Sequence, residues 1–337
     1  MLFNRESFLR RTIFIGGSLV WLSMALAANG WARHADPAEP VRADIAFGRA
    51  NAALLKLNAA LAQNPSDPEA HNLRCRVFYQ EEQWDHAIAD CEAAVKASPA
   101  DSNFHLWLGR AYGQKAERVS LISAFKLARK LAAEFQQAVQ LDSRNADALA
   151  DLGEFDVEAP SIVGGGVNRA IALVPQLQAV NPIAALGLQA RIAESKKDYP
   201  TAESQLKAAI TQSPDSPGPW MDLASFYRRR GRPDDMLTAV HTGASLDHLH
   251  GSALVDGASI LTREHLEPQT AIQWLQQYLN SQAQTEDAPS FAVRAKLADL
   301  LSQQGDTAGA EQQIAAVRAL ASGYHISVRG ASAAEGE

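Results

Sequence analysis

Two cysteines in 337 residues cannot build a disulfide scaffold, and 15 prolines with 21 glycines are too few for a collagen-like or mucin-like chain. A basic excess is also missing. Lysine and arginine number 31 against 38 aspartate and glutamate, a net charge of −7, so no nucleic acid steered by its phosphates is expected as a partner. No GxSxG elbow, HExxH pair or Cys-x-x-Cys occurs beyond the N-terminal segment, so no convergent catalytic set is visible and neither enzyme activity nor a cofactor is expected. What is present is 47% hydrophobic and 20% charged residues, a globular balance in a chain long enough for two ordinary domains or one long solenoid.

The N-terminus has the pattern of an export signal. Arg5, Arg10 and Arg11 precede the uncharged stretch Thr12–Ala28, and Ala25 and Ala27 supply the small residues of a cleavage site near 27–28. Residues 1–27 are therefore expected to be a signal peptide, followed by a disordered linker over 28–43 that holds Pro37 and Pro40. An uncleaved anchor is the alternative, because the apolar run is only slightly short of the roughly 20 residues that span a bilayer. Membrane contact is expected only through that segment. Arg10-Arg11 loosely resembles a twin-arginine signal, although Leu9 stands where Ser or Thr is expected. With no cysteine before Cys75, a lipoprotein anchor is excluded, and a bacterial periplasmic or secreted location follows.

Self-comparison carries the fold. Segments such as AALAQNPSD, EAAVKASPAD and KAAITQSPDS recur with helix-breaking ends at Pro65, Pro99, Ser143, Pro182, Pro214 and His248, a base period of 34 residues with additions in two units. Twelve residues before each end stands Ala53, Ala87, Leu131, Ala170, Ala202 or Met236, and the register continues to Ala271 and Ala310. Four residues on comes an apolar residue (Leu57, Cys91, Phe135, Val174, Leu206, Val240, Leu275, Ile314), and three further on another. Spacings of four and three place them on one helical face. Small residues there let a neighbouring helix approach closely, while the bulky one fills the groove between.

The preceding helix of each unit is plainest in HLWLGRAY (105–112) and WMDLASFYRRRG (220–231), where Gly231 supplies a left-handed turn. Together these residues resemble the tetratricopeptide repeat, W-x2-L-G-x2-Y, then A-x3-F, then P. The resemblance implies an all-α, right-handed superhelical solenoid over 44–322: a capping helix at 44–63, units near 68–99, 102–143, 146–182, 183–214, 217–248, 251–283 and 291–322, and a flexible tail over 323–337. Arg74 departs from the pattern in place of a leucine, as do Leu131 and Met236 in place of small residues, and Ser259 is read as the small position of a poor helix. Tyr112–Ala116 and Ala159–Gly166 further resemble a group of exported bacterial tetratricopeptide proteins with a YGxKA helix and an APxxxGGG loop.

The insertions and the groove supply the candidate sites. The ten extra residues in 113–139 are expected to lengthen helices, and EAPSIVGGGVNRA (158–170) to replace a tight turn with a flexible one whose apolar tip, Ile162-Val163, could touch a partner. Gly164-Gly165-Gly166 precedes a helix, but it lacks the Lys-Ser/Thr of a phosphate loop. Cys75 and Cys91 fall on the two helices of one unit facing their seam, so a disulfide is favoured over two buried thiols. His241, Asp247, His248 and His250 are the densest metal-like cluster, but they sit at a turn with spacing wrong for one helix face, and no metal is expected.

In the concave groove, Arg76, Arg110 and Arg191 share one register position and could clamp the carboxylate of a partner's tail. Pairing of Arg110 with Glu154 across adjacent units is the plainer alternative. The reading is an exported, non-enzymatic scaffold that binds an unidentified protein or peptide in its groove. An envelope-assembly or transport accessory binding a small ligand is the second reading, and a hydrolase using His248, His250 and Asp256 is the third.

Overall fold

The computed structural model describes residues 38–326, which form sixteen α-helices and one 3-10 turn, with no strand among them. The expected signal peptide lies outside the described residues. Two helices, α1 (Glu39–Ala46) and α2 (Ala50–Gln63), precede seven hairpins: α3/α4 (Pro68–Gln80, Trp84–Ala97), α5/α6 (Ser102–Ala116, Leu121–Leu141), α7/α8 (Ala146–Glu158, Val167–Val180) and α9/α10 (Pro182–Ser195, Tyr199–Gln212), then α11/α12 (Pro217–Arg229, Pro233–Leu246), α13/α14 (Ser252–Arg263, Pro268–Asn280) and α15/α16 (Ser290–Gln303, Thr307–Leu320). The molecule is a helical solenoid of tetratricopeptide-type hairpins.

Local chemistry sets the helix boundaries. Pro68, Pro182, Pro217, Pro233 and Pro268 open their helices, where a missing N–H costs nothing. The side chains of Asp67, Asp101, Asn145, Asn181, Asp198 and Asp306 accept hydrogen bonds from otherwise unpaired N–H groups of the first turn. Between the two helices of five units, the second residue past the first helix is left-handed: Glu82, Lys197, Gly231, His265 and Gly305.

Nesting follows the small-residue register. Ala53, Ala87, Ala170, Ala202, Ala271 and Ala310 are buried, and so are Leu131 and Met236, which fill the same place with bulk. Space for two large aromatic rings of the second helices comes from glycine on the first helix. A Cβ on Gly109 would stand 2.5 Å from the Phe135 ring, and one on Gly257 would stand 2.9 Å from Trp274. The seam of the α13/α14 unit is filled by Gly257 and Ala258, so Ser259 is not its small position. Its hydroxyl donates to the Val255 carbonyl and its side chain lines the interior. Arg74, in place of leucine, binds Asp90 with two hydrogen bonds of 2.7 Å.

Three sequence boundaries need correction. Residues 39–43 are the start of α1 rather than linker. The single helix expected over 44–63 is broken at Gly48, whose φ of +62° leaves the helical region, and a Cβ there would meet the Ser290 nitrogen at 2.4 Å. The tail is not free at its start. Tyr324 packs on Phe291 with ring centroids 5.0 Å apart, and the Gly323 N–H donates to Glu81 at 3.2 Å.

These contacts have one cause: the two ends of the solenoid meet. Phe291, Val317 and Ala321 share a core with Val41, Ile45, Ala53 and Leu57. Around it, Ser290 Oγ donates to the Phe47 carbonyl at 2.6 Å, Asn51 Nδ2 to the Ala319 carbonyl at 3.0 Å, and Arg76 Nε to Glu286 at 2.8 Å. Hairpins that in an open solenoid would need capping at each end cap one another.

Candidate functional site: the closed channel

The first helices of the hairpins face inward, and closure of the ring turns their groove into a channel of about 790 Å³. One wall is aromatic. Tyr79 meets Trp84 and Trp107 edge-on at 5.6 and 5.5 Å, while Arg110 and Arg76 lie over the Trp107 ring at 4.8 and 5.0 Å and Arg118 over Trp84 at 5.2 Å. Opposite, α11 and α13 present Asp222, Ser225, Arg228, Arg229 and Asp256, and α15 presents Lys296. Both charge signs thus line the interior.

The three arginines of the shared register are held by carboxylates of this chain and do not form a bare clamp. Arg110, which is buried, donates from Nε to Asp151 at 2.6 Å and has Asp147 at 3.7 Å. Burial opposes its charge, but Asp151 and Asp147 more than offset that and raise its pKa. Its partner is Asp151 on the following unit, not Glu154. Glu154 instead faces Arg191 at 3.6 Å, and Arg191 also binds Glu158 and has Glu194 at 3.5 Å. Burial lowers and these three carboxylates raise the Arg191 pKa, with a net rise. Arg229 then binds Glu194 at 2.6 Å. Burial would raise the Glu194 pKa, yet Arg229 and Arg191 bring it below its ordinary value. Arg76 does not line the channel. It joins Glu286 at the seam where the ring closes, and its pKa is raised by Glu286 against the effect of burial.

The remaining candidates separate clearly. Ile162 is 61% exposed, whereas Val163 is 2% exposed and belongs to the core with Leu131 and Phe135, so it cannot touch a partner. The loop around them is constrained rather than flexible. Ser161–Val163 form the 3-10 turn, Gly164 and Gly166 have φ of +101° and +139°, and a Cβ on Gly165 would lie 2.2 Å from the Ala159 carbonyl oxygen. The N–H groups of Gly164, Gly165 and Gly166 donate to the Ser161, Pro160 and Asp156 carbonyls at 3.0, 3.3 and 2.8 Å, so all three amides of the glycine run are already engaged. Cys75 and Cys91 are joined in a disulfide across α3 and α4, with Cα atoms 5.4 Å apart.

Of the histidine cluster, His241 faces Glu267 at 3.0 Å while Asp247 accepts from the Gly251 N–H at 2.9 Å. No group of three potential metal ligands occurs among the described residues. Asp256 lines the channel, but His248 and His250 lie on the turn before α13. Sequence reasoning missed the Tyr79–Trp84–Trp107 wall, although Tyr79 and Trp107 sit on first helices at spacings that turn them inward, a signal that was available. It also missed the seam, which joins residues more than 200 positions apart and leaves no local trace.

A ring of stacked hairpins with an inward-facing groove defines a helical repeat solenoid. Residues 41–102 match the tetratricopeptide repeat family model. Over the whole fold, the chain is similar to yeast Tom70, with a TM-score of 0.53 at 15% identity, covering 89% of this chain and 63% of that one. It thus spans less than two thirds of that protein's length. It is also similar to TTC0263, a thermophilic tetratricopeptide protein of Thermus thermophilus, with a TM-score of 0.44 at 20% identity over 67% of this chain and all of that one.

Proposed function

We propose that the protein is an exported, non-enzymatic scaffold of the bacterial periplasm that holds an extended peptide segment of a partner protein in its channel. The observation that carries this reading is the closure of the ring around a mixed-charge, aromatic-walled space. An extended segment offers a backbone donor and acceptor at each residue. The channel lining provides both carboxylates and guanidinium groups to meet them. Arg110 and Arg191 contribute by exchange: a peptide carboxylate would share guanidinium N–H groups now directed at Asp151 and Glu158. The basic and apolar N-terminal segment, together with the resemblance at Tyr112–Ala116 and Ala159–Gly166, supports export.

The small-ligand accessory remains the second reading, because about 790 Å³ lies within the 300–1,000 Å³ typical of ligand pockets. The arginines lying over Trp107 and Trp84 count against a sugar, which stacks on bare ring faces. A photoreactive residue at Ser225, inside the channel, and another at exposed Ser204, outside it, separate the readings when irradiated in intact cells. A protein adduct specific to position 225 is expected. Protein adducts equal at both positions, or melting shifts produced by sugars or organic acids and by no peptide, would overturn the peptide reading.

A further inference from the structure

Outside the channel, α6 forms a ridge whose composition departs from the rest of this acidic chain. From Arg118 to Ala133 there is no Asp or Glu, while Arg118, Lys126, Arg129 and Lys130 are basic. Arg118 and Lys130 have carboxylates within reach, Glu82 at 3.0 Å and Glu92 at 3.7 Å. Lys126 forms no ion pair among the described residues, and Arg129 directs its guanidinium to the Ile162 carbonyl at 3.3 Å. Ile122, Lys126, Arg129 and Ala133 recur at helical spacing, and all four are exposed. Beside them the loop presents Ile162, which lines a shallow hollow with Arg129 and Ala133. Of the six large apolar side chains exposed among the described residues, three stand on this ridge: Leu121 at 60%, Ile122 at 74% and Ile162 at 61%.

Exposed branched aliphatics flanked by cations, with no acid between them, match an anionic bilayer surface. Aliphatic side chains enter the headgroup boundary while lysine and arginine remain among the phosphates. An acidic patch on a protein would satisfy the cations alone, whereas a bilayer boundary also takes up the exposed Leu121, Ile122 and Ile162. The backbone is fixed on both sides, by packing of α6 on α5 and by the Arg129 contact to the loop, so Ile122 and Ile162 are presented without an ordering cost. We propose that this ridge docks the scaffold on phosphatidylglycerol-containing membrane, a role independent of what the channel holds.

Flotation of the full-length protein with vesicles of phosphatidylcholine alone and of phosphatidylcholine mixed with phosphatidylglycerol tests the proposal. The wild type is expected to prefer the anionic vesicles, and the preference to fall as salt rises. Lys126→Gln should weaken that binding about fivefold, the equivalent of about 1 kcal/mol per charge at an anionic surface. Ile122→Ser and Ile162→Ser should each lower it about tenfold or more, with the melting temperature unchanged because both side chains are exposed. The apolar stretch Thr12–Ala28 is common to all variants, so its contribution cancels in the comparison. Equal binding of the wild type to both vesicles, binding to neither, or a preference that survives all three substitutions would overturn the assignment.

Discussion

Phe291→Ala is the sharpest test of ring closure. Its side chain is fully buried among Val41, Ile45 and Val317, residues drawn from the two ends of the chain. Truncating a buried phenylalanine costs about 3–5 kcal/mol, and here that loss is shared between the contact with Val41 and Ile45 at the other end and the packing on Val317 within its own hairpin. An equilibrium shifts tenfold for each 1.4 kcal/mol, so the open ring should gain in population by at most about two to three and a half orders of magnitude. Phe155→Ala is the matched control. Phe155 is equally buried but lies among the hairpins α3–α8, so its loss should lower stability while the ends stay together. Spin labels on exposed Leu55 of α2 and exposed Ala315 of α16 read the separation directly. The wild type and Phe155→Ala should give one short, narrow distance, and Phe291→Ala a long, broad distribution. If Phe291→Ala keeps the narrow distance while melting as early as Phe155→Ala, the ends are not held by this core and the closure argument fails.

Other expectations follow from single sites. Asp156 is 1% exposed, and burial raises its pKa to about 6 against the opposing effect of Arg169. Because the folded state then holds a proton that the unfolded chain has released, stability should decline as pH rises from about 4 to 6, by up to about 3 kcal/mol, and Asp156→Asn should flatten that slope in denaturant titrations. Gly109→Ala should cost about 1–3 kcal/mol by pressing on Phe135, and adding Phe135→Leu should recover part of it, as thermal unfolding of the single and double variants will register. Reduction of Cys75–Cys91, which closes a loop of 16 residues, should remove about 3 kcal/mol, visible as an earlier transition with reductant that is absent in the Cys75→Ala/Cys91→Ala variant.

The fold was legible because the nesting rule is local. Spacings of three and four with alanine at Ala87, Ala202 and Ala310 specify a helix face and its neighbour at once. The turns were less legible. Gly231 announced a left-handed residue, but Glu82, Lys197 and His265 occupy the same position without glycine, and only the backbone reveals them. The shared register of Arg76, Arg110 and Arg191 on the first helices is legible, but its chemistry is not. Each arginine's carboxylate lies on another element, α7 for Arg110 and Arg191 and the loop before α15 for Arg76, at positions with no fixed offset, so a pattern of cations looked like a vacant clamp. Val163 illustrates a different limit: beside Ile162 in an apolar pair, only the path of a 3-10 turn decides which one enters the core.

The meeting of Phe291 with Val41 and Ile45 also bears on how such a chain can vary. A linear stack tolerates duplication or loss of a hairpin, since each addition merely extends the array. A circle with a fixed angular step does not: one hairpin more or fewer leaves the last out of phase with the first and strands apolar surface on both. The number of repeats is therefore a quantised property of this molecule, and new linkage sites should be accepted more readily than new units. Joining the neighbouring ends and cutting between any two hairpins would preserve the same circle in a permuted order.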